Sequence, residues 1–385
     1  MKNKLLFNGE RLKKARIYKG FTVAELAERL DCQRQTVSMY ENKKIENPDE
    51  LVVAKMSNFL GFPTKYFYEI NPQLNIGSTY FRALLTTNRK YRSEQIQKME
   101  FLSCIYSFIK EYIDFPEVVL PIINTSSPED ASVTLRDNWD LGRRPIENLI
   151  FETEQRGIIV TPFETSTDNI DAFSQMIDIN GNSVYIIGYS SNKTSAARLH
   201  FDIAHELGHI CLHEWSEDIE MLSKDDFKER EREANQFASA FLLPRDTFYF
   251  DVKQNPKSIP YYIELKKKWK VSISAMIRRA YTLDVIKQEE YQMLMRILQR
   301  RGMRKEEPLD DVLITAQPSL LKTAVQMLLD ENVFTPKEFI DELSFSFNLS
   351  LFPSEVEHIL GLSKGTLKID NVIPIHSLSI KPNKI

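Results

Sequence analysis

The 385-residue chain carries 50 Lys+Arg against 54 Asp+Glu, a formal net charge of −4, and 42% hydrophobic residues. That length and ordinary apolar content fit roughly two to three domains, and no apolar run approaches the about eighteen residues of a transmembrane helix. The opening MKNKLLFNGERLKK has too short an apolar stretch for a signal peptide. Cys32, Cys104 and Cys211 are spaced too widely for a CxxC metal site, so a soluble, cytoplasmic chain without a membrane partner is expected. In chain order, residues 9–69 read as five short helices. GERLKKARIYKG is the first, and Thr22 can cap the second, TVAELAERL, before Asp31-Cys32 turns the chain. QRQTVSMYENKK is the third, with Val37 and Tyr40 facing the core, and PDELVVAKMSNFLG and PTKYFYE complete the bundle.

The pair TVAELAERL and QRQTVSMYE has the length and apolar spacing of a helix-turn-helix. It resembles the XRE/Cro type of DNA-binding domain, down to Glu41 after Tyr40 and Pro48 opening the fourth helix. The resemblance implies a double-stranded DNA operator as partner. It places Gln33, Arg34, Gln35 and Ser38 where base edges would be read, and Lys43 and Lys44 near phosphates. Such domains commonly occupy two-fold related half-sites, which implies a homodimer. Gln33 departs from the usual Ser or Thr cap, and Met39 stands where a basic residue often does; both leave the sequence preference open. A small protein-binding bundle would fit the same helices, but charge argues against it. Residues 1–68 hold 13 Lys+Arg against 8 Asp+Glu, while the remainder of the chain is about −9. Positive charge is thus concentrated where a phosphate backbone would lie.

Residues 71–129 contain a polar break, NPQLNIGS, and then a helix from about Tyr91 to Asp114. Its apolar positions (Ile96, Met99, Phe101, Leu102, Ile105, Phe108, Ile109) are too many for one stripe. The helix therefore packs against more than one neighbour, or against a second copy of the chain. Tyr80-Phe81-Arg82 is either a tether or a contact to nucleic acid or to the next domain. A loop, NTSSPEDAS at 124–132, follows.

The segment HFDIAHELGHICLHEW (200–215) holds four of the chain's six histidines, among them His205-Glu206-Leu207-Gly208-His209. On a helix, positions i and i+4 share one face, so His205 and His209 can meet one cation. Glu206 could take a proton from a metal-bound water. A catalytic zinc usually has three protein ligands, and EREREANQFASAFLLP (229–244) offers the third. Glu231 and Asn235 are spaced i, i+4, so Glu231 could bind the metal while Asn235 orients a histidine ligand from behind. Glu233 lies about 200° further round. The competing reading treats Glu229, Glu231 and Glu233 with Arg230 and Arg232 as a solvated charged face. Cys211 turns away from His209 and reads as a packing residue.

HELGHICLH followed by E-x-E-A-N-x-F-A-x-x-x-L-L-P resembles the ImmA/IrrE family of bacterial zinc metallopeptidases, across roughly 130–285. The resemblance extends upstream through IENLIFETEQRG (146–157) and 158–173 into 184–187, a helix followed by short strands. It implies one Zn²⁺ per chain held by His205, His209 and Glu231, with Glu206 as general base, as in gluzincin-like metallo-endopeptidases. His213 is left with a supporting or substrate-side role, or none. Such proteins typically cleave a transcriptional repressor, which would be the protein substrate here.

Further on, YYIELKKKWKVSISAMIRRAYTL (261–283) has helix-turn-helix character, with Lys266, Lys267, Lys268 and Lys270 before Arg278 and Arg279. It is either a second nucleic-acid surface or the element that closes the peptidase-like domain. PSLLKTAVQMLLDEN, TPKEFIDELSFSFN and PSEVEHILG are helices that start near Pro, and the last twenty residues read as a tail. The expected fold is mainly α with a small β-sheet: an XRE/Cro-like five-helix domain at 1–70, a linker and long helix at 71–129, an α+β zincin-like domain at 130–285, and a helical regulatory or dimerising module at 286–385. The expected function is a DNA-binding regulator with a zinc-dependent endopeptidase domain. Its alternatives are a non-proteolytic transcription factor using the zinc domain as a sensor, and an antitoxin-like control protein of a mobile-element or phage-defence operon.

Overall fold

In the computed structural model, the described residues are 6–72, 75–81, 89–164, 171–179, 181–191, 195–215, 222–304, 306–314 and 316–369; for 75–81 and 89 the backbone alone is described. Helix α1 (Gly9–Tyr18) begins where Asn8 accepts a hydrogen bond from the Glu10 amide. Helix α2 (Val23–Arg29) begins in a reciprocal capping box between Thr22 and Glu25. Helix α3 (Arg34–Glu41) starts at Gln33, which makes no side-chain cap. Helix α4 (Glu50–Leu60) is capped by Asp49 and ends at Gly61 in the left-handed region, and a 3₁₀ turn follows at Thr64–Tyr68. Leu12, Leu26, Val37, Val53, Met56 and Leu60 form the bundle's core. The buried Arg16 guanidinium grips the Glu41 carboxylate in two bonds of 2.5 and 2.9 Å, tying α1 to the end of α3.

After the bundle, Asn75–Phe81 forms strand β1, an edge of the sheet rather than a plain tether; Arg82 lies outside the described residues. The long helix α5 (Arg89–Lys110) stops about a turn earlier than expected, before the extended run toward Pro116. Helix α6 (Pro128–Asn138) takes over half of the expected NTSSPEDAS loop, because Ser127 caps it and Pro128 opens it. Helix α7 (Leu149–Glu154) and strands β2 (Ile159–Phe163), β3 (Ala172–Ile179) and β4 (Asn182–Ser190) follow. The sheet order is β1-β3-β4-β2, with β2 parallel to β4 and the other pairs antiparallel. The remaining helices are α8 (Ala196–Leu212), α9 (Lys224–Leu242), α10 (Arg245–Lys253), α11 (Ile259–Trp269), α12 (Ile273–Thr282), α13 (Gln288–Arg300), α14 (Leu320–Asp330), α15 (Pro336–Ser346) and α16 (Pro353–Leu360). The fold is mainly α with this small four-stranded sheet. No helix among the described residues is long and apolar enough to cross a membrane.

Strand alternation splits the molecule into two cores. Ile159, Phe163, Phe173, Ile177, Val184 and Ile186 point to α5 and the helix-turn-helix bundle. Val160, Ala172, Ile187 and Tyr189 point to α6–α13. Helix α5 is apolar nearly all round because one chain covers it on several sides. Phe101 meets Tyr18 and Phe62 of the bundle at 4.9 and 5.9 Å, and Phe108 meets Phe339 and Phe347 at 5.0 and 5.8 Å. Its Met99, Leu102, Ile105 and Ile109 are buried within the same chain, so they do not offer the face for a second copy considered above.

Helices α14–α16 also grip the N-terminal bundle. Lys19 pairs with Glu355 at 2.6 Å, and the buried Glu69 carboxylate accepts from the Ser350 amide at 3.0 Å and from the Ser344 and Ser350 hydroxyls. Pro336 and Pro353 sit at the starts of α15 and α16, whereas α14 starts at Ser319 with Pro318 outside it. Helices α11 and α12 close the central unit. Lys266 is fully buried against Glu307 and Asp310, and Arg279 against Glu129, so these cations do not form a nucleic-acid surface. From residue 370 onward, the expected tail lies outside the described residues.

Candidate metal centre and DNA-reading helix

Helix α8 runs beneath the sheet and α9 crosses it closely. Gly208 permits the approach: a Cβ there would meet the Ala234 Cα at 3.1 Å, its carbonyl oxygen at 3.2 Å and the Phe237 ring at 3.2 Å. That contact brings Glu231, almost one turn before Ala234, over the two α8 histidines. His205 and His209, one turn apart and both 1% exposed, aim their Nε2 atoms at one point, 3.1 Å from each other. Glu231 Oε1 lies 3.2 Å from His209 Nε2, and Oε2 lies 3.5 Å from His205 Nε2. Among the described residues these three form the one cluster able to hold a metal ion. Two nitrogens on a tetrahedral zinc would be about 3.3 Å apart, so both spacing and donor types fit such an ion. Burial works against the Glu231 carboxylate, yet hydrogen bonds from the two imidazoles hold its pKa down to about 2.

Two further contacts support the donors, and of their residues Glu233 and Ser174 were not legible in the sequence as partners. His213 Nδ1 lies 2.9 Å from His209 Nδ1, and its Nε2 lies 3.2 Å from Glu233 Oε2. A metal on His209 Nε2 requires the proton on Nδ1, which then donates to His213, whose own Nε2–H donates to Glu233. Burial and the neighbouring His209 push His213 down to about 3, consistent with a neutral ring in this chain of bonds. Ser174 on β3 is the second: its hydroxyl donates to Glu206 Oε2 at 2.5 Å, with both residues buried. No spacing rule connects Ser174 to Glu206 across 32 residues.

Asn235 does not do what its spacing suggested. Its Nδ2 donates to the Glu231 main-chain oxygen at 2.6 Å, bracing its own helix turn instead of an imidazole, because an i−4 carbonyl is the nearest acceptor on a helix. His200 is buried on α8 but outside the metal cluster, and its Nδ1 has no partner among the described residues. Cys211 is a partly buried thiol that burial pushes up to about 12, as expected of a packing residue.

In the N-terminal bundle, α3 presents Gln33, Arg34 and Gln35 to solvent, with Ser38 half-buried beneath Asn42 and Met39 exposed. Lys43, in the left-handed region, and Lys44 are exposed just past its end; Lys43 lies 3.7 Å from Glu10.

Fold and site together define a two-part protein: a helix-turn-helix bundle joined to an α+β unit whose H-E-x-x-H helix and partner helix assemble a His₂Glu donor set. Residues 9–69 match the helix-turn-helix domain family, and residues 153–281 match the family described as the IrrE N-terminal-like domain, a peptidase family. The chain thus fuses an XRE-type helix-turn-helix domain to an IrrE/ImmA-like domain. No curated protein matches it.

Proposed function

We propose that this DNA-binding regulator is a zinc-dependent endopeptidase that cuts a partner protein, a repressor, to switch gene expression. The observation that carries the reading is the convergence of His205, His209 and Glu231 within one cluster beside the buried Glu206. Zinc held there supplies Lewis acidity for the scissile carbonyl and for water. Glu206 accepts the attacking water's proton and returns it to the leaving amine. Ser174 fixes the Glu206 carboxylate through its bond to Oε2. His213 and Glu233 fix the ring of His209, while Asn235 steadies the turn that carries Glu231. The bundle brings this machinery to an operator through Gln33, Arg34, Gln35 and Ser38 on base edges and Lys43 and Lys44 on phosphates, two copies occupying paired half-sites. The test compares new protein N-termini in cells expressing wild type or Glu206→Gln. A DNA-binding protein cut only with the wild type is expected. Identical N-terminus profiles under conditions that activate the operon would instead leave a transcription factor with a sensory metal site.

A further inference from the structure

We propose that the cleft bounded by α6, α8, α9, α12 and α13 binds a small phosphorylated ligand of nucleotide size, separate from the metal cluster. The cleft encloses about 900 Å³, within the range of cofactor and small-molecule sites. Among the described residues, six arginines line it (Arg198, Arg232, Arg245, Arg278, Arg279 and Arg304), against three carboxylates and no lysine. This concentration stands out in a chain whose residues beyond the DNA-binding bundle are net negative. Arginine's planar fork suits paired bonds to phosphate oxygens, for which lysine offers only a point charge.

Several of the six are already committed. Arg279 donates both Nη atoms to Glu129 at 2.7 and 2.6 Å and its Nε to the Leu243 carbonyl, forming a fixed floor. Arg245 lies 3.9 Å from the same carboxylate, and Arg232 pairs with Glu229. Glu129 is therefore spent within the wall. Arg278 and Arg304 are exposed and enter no ion pair among the described residues. Both can turn to a ligand. In the same lining, Phe201, Tyr291 and Met295 add apolar surface, with Tyr291 stacked on Tyr281 at 5.2 Å. An anionic end and a planar body both find a complement.

A peptide lying across the metal would be shaped by His205, His209, Glu206 and Glu231, and none of these lines the cleft. Phe201 and Asn235 stand one turn from His205 and Glu231, so occupancy would bear on both helices that carry the metal donors. The inference does not rest on peptidase activity.

Calorimetry on the full chain with ADP, inorganic pyrophosphate and adenosine tests it, using wild type and the Arg278→Ala/Arg304→Ala double variant. ADP is expected to bind and adenosine not, with affinity falling at least tenfold in the double variant while zinc content and melting temperature stay unchanged. Pyrophosphate binding as tightly as ADP would also support the site and assign the affinity to the phosphates. Absence of binding by both phosphate probes at millimolar concentration would overturn the proposal, as would equal ADP affinity in the double variant. A glutamate-rich peptide that binds where neither phosphate probe does would overturn it in favour of peptide recognition.

Discussion

Replacing Gly208 with Val sets two helical effects against each other. Gly→Val within a helix gains about 0.4 kcal/mol of intrinsic propensity. The new Cβ, however, meets Ala234 Cα and O at 3.1 and 3.2 Å and Phe237 at 3.2 Å, and two further methyl groups enter the same seam. Overpacking a close-packed contact costs typically about 1–3 kcal/mol, and the backbone atoms of Ala234 cannot swing aside, so the upper half of that range applies. The net loss is then about 2 kcal/mol. Relief comes by moving α9 off α8, which carries Glu231 away from His205 and His209 and lengthens the 3.2 and 3.5 Å separations. Zinc affinity should fall roughly tenfold to a hundredfold, the scale of disturbed ligand support in metal sites. Urea melting of the metal-free protein reads the first effect, and competition with a chromogenic chelator reads the second. Wild-type stability together with wild-type zinc affinity would refute the claim that this helix contact positions the third ligand.

His213→Ala should keep the fold and lower zinc affinity about tenfold to a hundredfold by releasing the His209 ring; chelator competition would expose an uninvolved His213 as an unchanged constant. Ser350→Ala removes a hydroxyl from the buried Glu69 carboxylate and should destabilise the docking of α14–α16 on the bundle by about 1–3 kcal/mol. Denaturation by urea would reveal it, and a loss of only a few tenths would mean water replaces the hydroxyl. Burial, with Lys270 nearby, pushes His200 down to about 4 from its ordinary value near 6.5. Because the unfolded chain then binds the extra proton, stability is untouched above pH 6.5, falls as pH drops through that value, and levels off below about 4. The full effect is on the order of 3 kcal/mol. His200→Gln should flatten that part of the pH–stability curve, and parallel curves for the two proteins would contradict a buried neutral imidazole.

How far the chain could be read depended on whether a feature was local. The capping box at Thr22 and Glu25, the 3.6-residue period of the bundle and the H-E-x-x-H spacing are all written within a few residues. Glu231 followed by the same logic, one residue on a second amphipathic helix. What stayed hidden was pairing across distance. The 75–81 strand looked like linker because its role comes from β3, about a hundred residues later. The apolar surplus of α5 was visible, but its neighbours were not, since they arrive from both ends of the chain. Ser174 and Glu233 escaped for the same reason, whereas Asn235 misled because a helical Asn has an acceptor in its own backbone four residues back.

Metal content per chain tests the central claim most directly, measured by mass spectrometry on wild type, Glu206→Gln and His205→Ala grown without added metal. The account predicts about one zinc in the wild type, retained in Glu206→Gln and lost in His205→Ala. A wild type that stays metal-free after zinc repletion would contradict it, as would a His205→Ala variant that keeps its full complement.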